Sequence, residues 1–164
     1  MTQPHDPRVL LHHAEELVRV GRLPEAEVVY QQLLARWPDL PEAWFNLAVL
    51  QRRIGRYDAA LQSYQQALDR GISQPEEVHL NRGVIYSDCL RRDDAAESEL
   101  RAALKLNPSY VPALLNLGNL KEDYGDRAAA IALYDKILAV QPNCYEALAR
   151  RAQLHTPSDA RDEL

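Results

Sequence analysis

The sequence predicts an all-α protein, a right-handed α-solenoid of antiparallel helix hairpins, and two periodic series predict it. Small residues recur at Ala14, Ala48, Gly83, Gly118 and Ala152, spaced 34, 35, 35 and 34 residues apart. A second series keeps the same phase: Ala26, Ala60, Ala96 and Ala130, followed four residues later by Tyr30, Tyr64, Leu100 and Tyr134. Self-similarity at this period marks stacked supersecondary units, none of which can bury its apolar face alone. Composition allows such an array. Of 164 residues 46% are hydrophobic and 26% charged, with only six Gly and ten Pro, which argues against collagen, long linkers and gross disorder.

The elements follow in order. A flexible lead at 1–6 precedes a single array at 7–155, made of repeats 7–40, 41–75, 76–110 and 111–144 and a capping helix at 145–155; a flexible tail occupies 156–164. Within the repeats, Gly21, Gly55 and Gly125 fall midway between the two series, and Gly-Arg-Tyr-Asp-Ala-Ala at 55–60 reads as a tight turn entering a new helix. Pro38, Pro108 and Pro142 close three repeats. In the tail of the array, Leu148 and Ala152 continue the first-helix pattern and would cover the open end of the stack.

These residues resemble the tetratricopeptide repeat, whose signature is Trp-x2-Leu-Gly-x2-Tyr, then Ala-x3-Phe, then Pro. Trp44, Leu47 and Ala48 carry its first half, and Leu117, Gly118, Ala130, Tyr134 and Pro142 carry it in the last full repeat. The third repeat departs from it. Gly83 and Ala96 are 13 residues apart where the other pairs have 12, and His79 and Arg82 stand where an aromatic residue and a leucine are usual. A longer inter-helix turn around Cys89 to Asp93 is the favoured explanation, with a bulge inside the helix as the alternative.

Charge excludes one class of partner. Nineteen Lys and Arg against 24 Asp and Glu leave a formal charge of −5, the wrong balance for a protein that binds phosphate backbones, so no nucleic acid is expected. Cys89 and Cys144 form no CxxC pair and cannot build a disulfide framework, which points to a reducing, cytoplasmic setting. Met1 to Asp6 carry neither a basic start nor an apolar stretch, and the longest apolar run, Ala128 to Tyr134, is too short to span a bilayer, so neither secretion nor a membrane is expected. Arg161-Asp162-Glu163-Leu164 looks like an endoplasmic-reticulum retrieval signal and is taken as coincidence.

Function is expected on the first helices. At about 100° per residue, places four, seven, eight and eleven of each first helix share the packing side, and places two, five, six, nine, twelve and thirteen share the opposite one. That opposite side lines the concave wall of a hairpin stack. Asn46, Asn81 and Asn116 occupy its sixth place, 35 residues apart, with Asn119 at a ninth place. An amide offers both donor and acceptor, so it can pair with the N–H and C=O of an extended peptide; similar asparagine ladders occur in peptide-binding tetratricopeptide domains. The same residues also suit a solvated polar face. Leu11, Phe45, Val49, Leu80, Val84 and Leu115 form an apolar floor that invites a partner or packs on neighbouring first helices. Phe45 is the preferred anchor. Arg8, Arg19, Arg52 and Arg53 lie toward one end and Asp88, Glu122 and Asp123 toward the other, which would orient a ligand; Arg52 and Arg53 are the best placed to hold a carboxylate.

The expected function is therefore a non-enzymatic scaffold or adaptor for a protein or extended peptide. The chaperone-tail clamp of some tetratricopeptide domains needs a lysine and an asparagine where this chain has Leu11 and Glu15, or Phe45 and Val49, so that activity is not expected. No metal or other cofactor is expected either: His5, His12, His13, His79 and His155 show no ligand spacing with carboxylates, neither cysteine sits in an activating context, and no Gly-rich phosphate loop occurs. Two alternatives stay open. The run from Gly71 to Gly83, with Asn116 to Leu120, is similar to repeat regions that precede sulfotransferase-like domains in bacterial proteins, which implies a docking module. Phe45 or an open end of the stack could instead bind a second copy of the chain.

Overall fold

Proline and glycine set the helix boundaries. The computed structural model describes residues 6–155, which form nine α-helices, one π-helical turn and no strand. They are α1 (Pro7–Arg19), α2 (Leu23–Arg36), α3 (Pro41–Arg53), α4 (Tyr57–Asp69), α5 (Pro75–Val84), the π turn (Ile85–Cys89), α6 (Asp93–Leu106), α7 (Val111–Asp123), α8 (Arg127–Val140) and α9 (Tyr145–His155). Proline stands in the first two positions of α1, α2, α3 and α7, where its missing N–H costs nothing. Asp6 and Asp126 cap α1 and α8 by accepting the backbone N–H of Arg8 and Ala129. Gly21, Gly55 and Gly125 take positive φ of 81°, 79° and 75° just past α1, α3 and α7, the left-handed conformation that stops a helix and turns the chain. Residues 1–5 and 156–164, with the terminal tetrapeptide and most of the expected lead and tail, lie outside the described residues.

The chain divides into two compact units, residues 1–78 and 79–164, with the division inside α5. The first unit packs α1 on α2 and α3 on α4 as hairpins. Its core joins Ala14, Leu17, Ala26, Val29, Tyr30, Leu33, Leu34, Ala43, Leu47 and Leu50. Ala14, Ala48, Ala26 and Ala60 are fully buried, as close helix approach requires. Trp44 Nε1 donates to the Pro38 carbonyl at 2.8 Å, and the Arg70 guanidinium lies 5.3 Å above the Trp44 ring, which ties the α2–α3 link to α3 and to the end of α4. A buried polar chain runs through this core. Gln51 Nε2 donates to Glu27 Oε1 (3.2 Å), Ser63 Oγ donates to Gln51 Oε1 (2.7 Å), and Arg56 pairs with Glu27 at 2.9 Å. Glu27, Gln51 and Ser63 come from α2, α3 and α4, so the chain crosses all three helices.

In the second unit α6, α7 and α8 enclose Ala96, Leu100, Ala103, Ala113, Leu117 and Leu120, and a second cluster joins Leu114, Ala130, Tyr134, Ile137 and Ala147. Glu99 of α6 accepts from Arg82 at 2.8 Å and pairs with His79 Nδ1 at 2.7 Å. That contact explains why a histidine and an arginine replace the usual aromatic and leucine: both serve a carboxylate. Ala152, in contrast to its counterparts, is exposed, because no described helix packs on that side of α9.

The position of the extra residue in the third repeat is a correction. The turn from Leu90 to Arg92 has the same length as Ile54 to Arg56 and Tyr124 to Asp126, so no longer turn exists. The extra residue sits inside the helix as the π turn, where Leu90 N–H reaches the Ile85 carbonyl (3.1 Å) and Arg92 N–H the Tyr86 carbonyl (2.8 Å). Arg91, with φ of 54°, occupies the place that glycine holds at residues 21, 55 and 125. An L-side chain there strains the backbone. Arg91→Gly is therefore expected to raise stability by about 1 kcal/mol, the left-handed penalty less glycine's entropy, read as a higher urea midpoint with an unchanged slope. A lower midpoint would show that the Arg91 side chain contributes more than the strain it imposes.

Candidate functional site

The groove places of α1 and α3 meet at a pocket of about 230 Å³ in the first unit, lined by Glu15, Val18, Tyr30, Asn46, Val49, Leu50 and Arg53. Five of these seven are groove places, and three, Asn46, Val49 and Arg53, are residues singled out from sequence. Heptad spacing on α3 aligns Asn46 and Arg53 on one face about 10 Å apart, at 1.5 Å rise per residue. Tyr30 of α2 supplies the floor. Its ring is buried, and burial pushes its hydroxyl up to about 12, helped by the Glu15 carboxylate; the Asn46 amide, hydrogen-bonded to it, acts the other way. Asn46 thus spends part of its hydrogen-bonding capacity on the tyrosine and keeps the remainder.

Phe45 and Asn46 also border a second pocket of about 140 Å³ with Glu42, Ile72, Ser73, Gln74 and Glu77. Phe45 is half-buried and meets Tyr64 edge to face, with ring centroids 5.5 Å apart, so much of the expected anchor packs inside the unit. Arg52 is half-buried beside Tyr64; burial raises the pKa of that hydroxyl, and the Arg52 charge opposes the rise. Arg53 is exposed and makes no ion pair with any described residue. The Arg8 and Arg19 guanidiniums are taken by Asp6 and Glu16.

In the second unit, Asn81 is half-buried. The Asn116 amide donates to the Pro112 carbonyl of its own helix at 2.8 Å. The Tyr134 hydroxyl donates to Asn119 Oδ1 at 2.9 Å and to the Glu122 carboxylate, its single proton shared between the two acceptors. Leu80 and Leu115 are half-buried against the two core clusters, and Leu11 packs likewise on the core of the first unit. Among the described residues no three His, Cys, Asp or Glu side chains are grouped to hold a metal ion.

Sequence reasoning missed Glu15, Tyr30 and the role of the second-helix tyrosines. The signal was present: Tyr30, Tyr64 and Tyr134 sit at one repeated place, and a buried tyrosine needs a partner for its hydroxyl. Tyr30 and Tyr134 find asparagine amides; the fully buried Tyr64 hydroxyl has no partner among the described residues. Burial raises all three pKa values. A tyrosine that is harder to ionise when folded holds its stabilising effect below pH 10, the ordinary tyrosine value, and loses it as pH climbs toward the folded value. Stability is expected to be flat from pH 7 to about 9 and to fall steeply above about 10. Tyr64→Phe should cost nothing or add up to about 1 kcal/mol and should make the alkaline fall shallower, by thermal melts across that range.

The model for the tetratricopeptide repeat matches residues 11–75 and 115–156. The stretch between, 76–114, contains the π turn. The protein O-mannosyl-transferase TMTC1 of Mus musculus is 25% identical over 144 residues, covering 86% of this chain and 15% of the relative, so the chain spans about a seventh of that protein. A tetratricopeptide repeat protein from Parabacteroides merdae superposes with a TM-score of 0.77 at 23% identity, covering 93% of this chain and 59% of that one. YrrB, described as a repeat protein of this kind with an unusual peptide-binding site, superposes at 0.71 with 18% identity, covering 91% and 76%.

Proposed function

We propose that this chain, which belongs to the tetratricopeptide repeat family, is a non-enzymatic adaptor that holds an extended peptide along the first-helix walls of its units. The fold is that of a protein–protein interaction scaffold. The observation that carries the peptide reading is the α1–α3 pocket, where Asn46, Val49 and Arg53 converge on one cavity. Asn46 would pair with a peptide backbone, and Asn81, Asn116 and Asn119 would do the same in the second unit. Phe45, Leu80 and Leu115 keep only their half-exposed edges for such a ligand, and Arg52 and Arg53 would hold its carboxylates. The peptide-binding site named for YrrB supports the reading by kinship of fold. A cytoplasmic location belongs to the same proposal; among the described residues no helix is long and apolar enough to cross a membrane.

Alanine at each asparagine should weaken a captured peptide by about 0.5–1.5 kcal/mol per site, measured by titration calorimetry at a temperature where every variant is folded. Asn46→Ala and Asn119→Ala should also lower the melting temperature, since each amide serves a buried tyrosine hydroxyl. Affinities equal to the parent's at all four positions would leave the asparagines as solvated polar residues and end the reading.

A second reading has an observation of its own. The mouse relative is named as a transferase and is several times longer than this chain, which suits a repeat module docking beside a catalytic partner; a sulfotransferase-like partner is one form of it. Self-association is a third, favoured by the outer side of α9, where Tyr145 is 84% exposed and Leu148 39%. Light scattering at two concentrations separates it from a monomeric receptor.

A further inference from the structure

We infer that the α1–α3 pocket selects its peptide by charge order, taking a basic side chain at one end, an aliphatic one in the middle and an acidic one at the other. This deepens the peptide-binding reading and rests on it. Three observations converge. The polar end of the pocket holds a carboxylate, Glu15, whose charge acts on the buried Tyr30 hydroxyl, together with the Asn46 amide bonded to that hydroxyl. The far end holds Arg53, two helical turns along α3. Between them the wall is Val18, Val49 and Leu50.

The charges at the two ends are unspent. Glu15 and Arg53 line one cavity but do not pair with each other or with any other described residue. Arg53 is exceptional among the described arginines of the first unit. Arg8, Arg19, Arg22, Arg56 and Arg70 each sit against a carboxylate, and Arg36 and Arg52 also have partners. A guanidinium held at the mouth of an apolar-walled pocket offers a bidentate site for a carboxylate. The opposite end offers acceptor oxygens on a carboxylate, a hydroxyl and an amide, which suit the three N–H bonds of an ammonium.

Spacing completes the argument. The roughly 10 Å between Asn46 and Arg53 matches three residues of a polyproline-II-like extended chain at about 3.1 Å each, whose three-residue turn brings positions i and i+3 to the same side. The recognised segment is thus basic–aliphatic–x–acidic, read from its amino end. A cavity of about 230 Å³ admits one leucine-sized side chain between the charged ends.

The test uses four fluorescein-labelled peptides of the form Gly-Ser-X-Leu-Ser-Z-Ser-Gly and the intact chain, read by fluorescence anisotropy. X is Lys or Gln and Z is Glu or Gln. The Lys/Glu peptide should bind about 10-fold or more tighter than the Gln/Gln peptide, with each charge supplying a part, and the gap should close in 0.5 M salt. Arg53→Gln should erase the advantage of Glu while leaving that of Lys, and Glu15→Gln should do the reverse. Replacing Leu by Ser in the Lys/Glu peptide should weaken it by a similar factor. Equal affinity of all four peptides, with Asn46→Ala weakening each alike, would overturn the charge-order inference and leave the peptide-binding reading standing. Charge preferences that survive Arg53→Gln and Glu15→Gln would place the recognition elsewhere and overturn it too. Binding of none of the four at millimolar protein would overturn both.

Discussion

Gly118→Ala is expected to lower the free energy of unfolding by about 1–3 kcal/mol, although alanine is the better helix former by about 1 kcal/mol. A Cβ at residue 118 would lie 2.6 Å from Tyr134 Cε1 and 2.9 Å from Cζ. That ring cannot retreat. It is fully buried between α7 and α8, and its hydroxyl is held by Asn119 and Glu122. Gly83 stands at the same place in the third repeat but faces the Leu100 side chain, at 3.1 Å and 3.2 Å. A leucine side chain can give by a few tenths of an ångström within its rotamer, so Gly83→Ala should be close to neutral. Urea titration of the two variants measures the contrast. The double variant Gly118→Ala, Tyr134→Leu should lose less than the sum of its single changes, since leucine already fills this place opposite Gly83. Parent-like stability of Gly118→Ala would mean that α7 and α8 do not approach as closely as described.

Gln51→Leu is expected to cost about 2–3 kcal/mol. The substitution conserves much of the volume but strands two buried groups: Ser63 Oγ loses its acceptor and Glu27 Oε1 its donor, leaving Glu27 to Arg56 alone. Buried polar atoms without partners carry their full desolvation cost. Ser63→Ala made on top of Gln51→Leu should then cost less than Ser63→Ala alone. Additive losses in that cycle would show that the three residues do not form one network.

Legibility differed between packing and polar contacts. The small-residue series could be read because a close approach of helices admits one kind of side chain, and it recurs once per repeat: Ala26, Ala60, Ala96 and Ala130 are all fully buried. The Glu27–Gln51–Ser63 chain could not be read. It occurs once, has no period, and joins residues 24 and 12 positions apart. The extra residue of the third repeat showed the same limit. Counting located it between Gly83 and Ala96, but a turn and a helix absorb one residue equally well in sequence, and only the Ile85–Leu90 and Tyr86–Arg92 bonds distinguish them.

The candidate site divides along the same line. Helical periodicity selected Asn46, Val49 and Arg53 as one side of a first helix, and they do line one pocket. It had no means of adding Tyr30 from the second helix, or of showing that Phe45 leans on Tyr64.

By itself the chain order of these residues determined the helix hairpins, their period, the buried stripe and the family. Those properties follow from backbone geometry, which every repeat obeys alike. Tertiary structure alone decided which amides serve tyrosine hydroxyls, which arginines are neutralised and which of the first unit's described arginines is left unpaired at a cavity. Hydrogen bonds and ion pairs depend on distances of a few ångströms between side chains remote in sequence, and no local rule sets those distances.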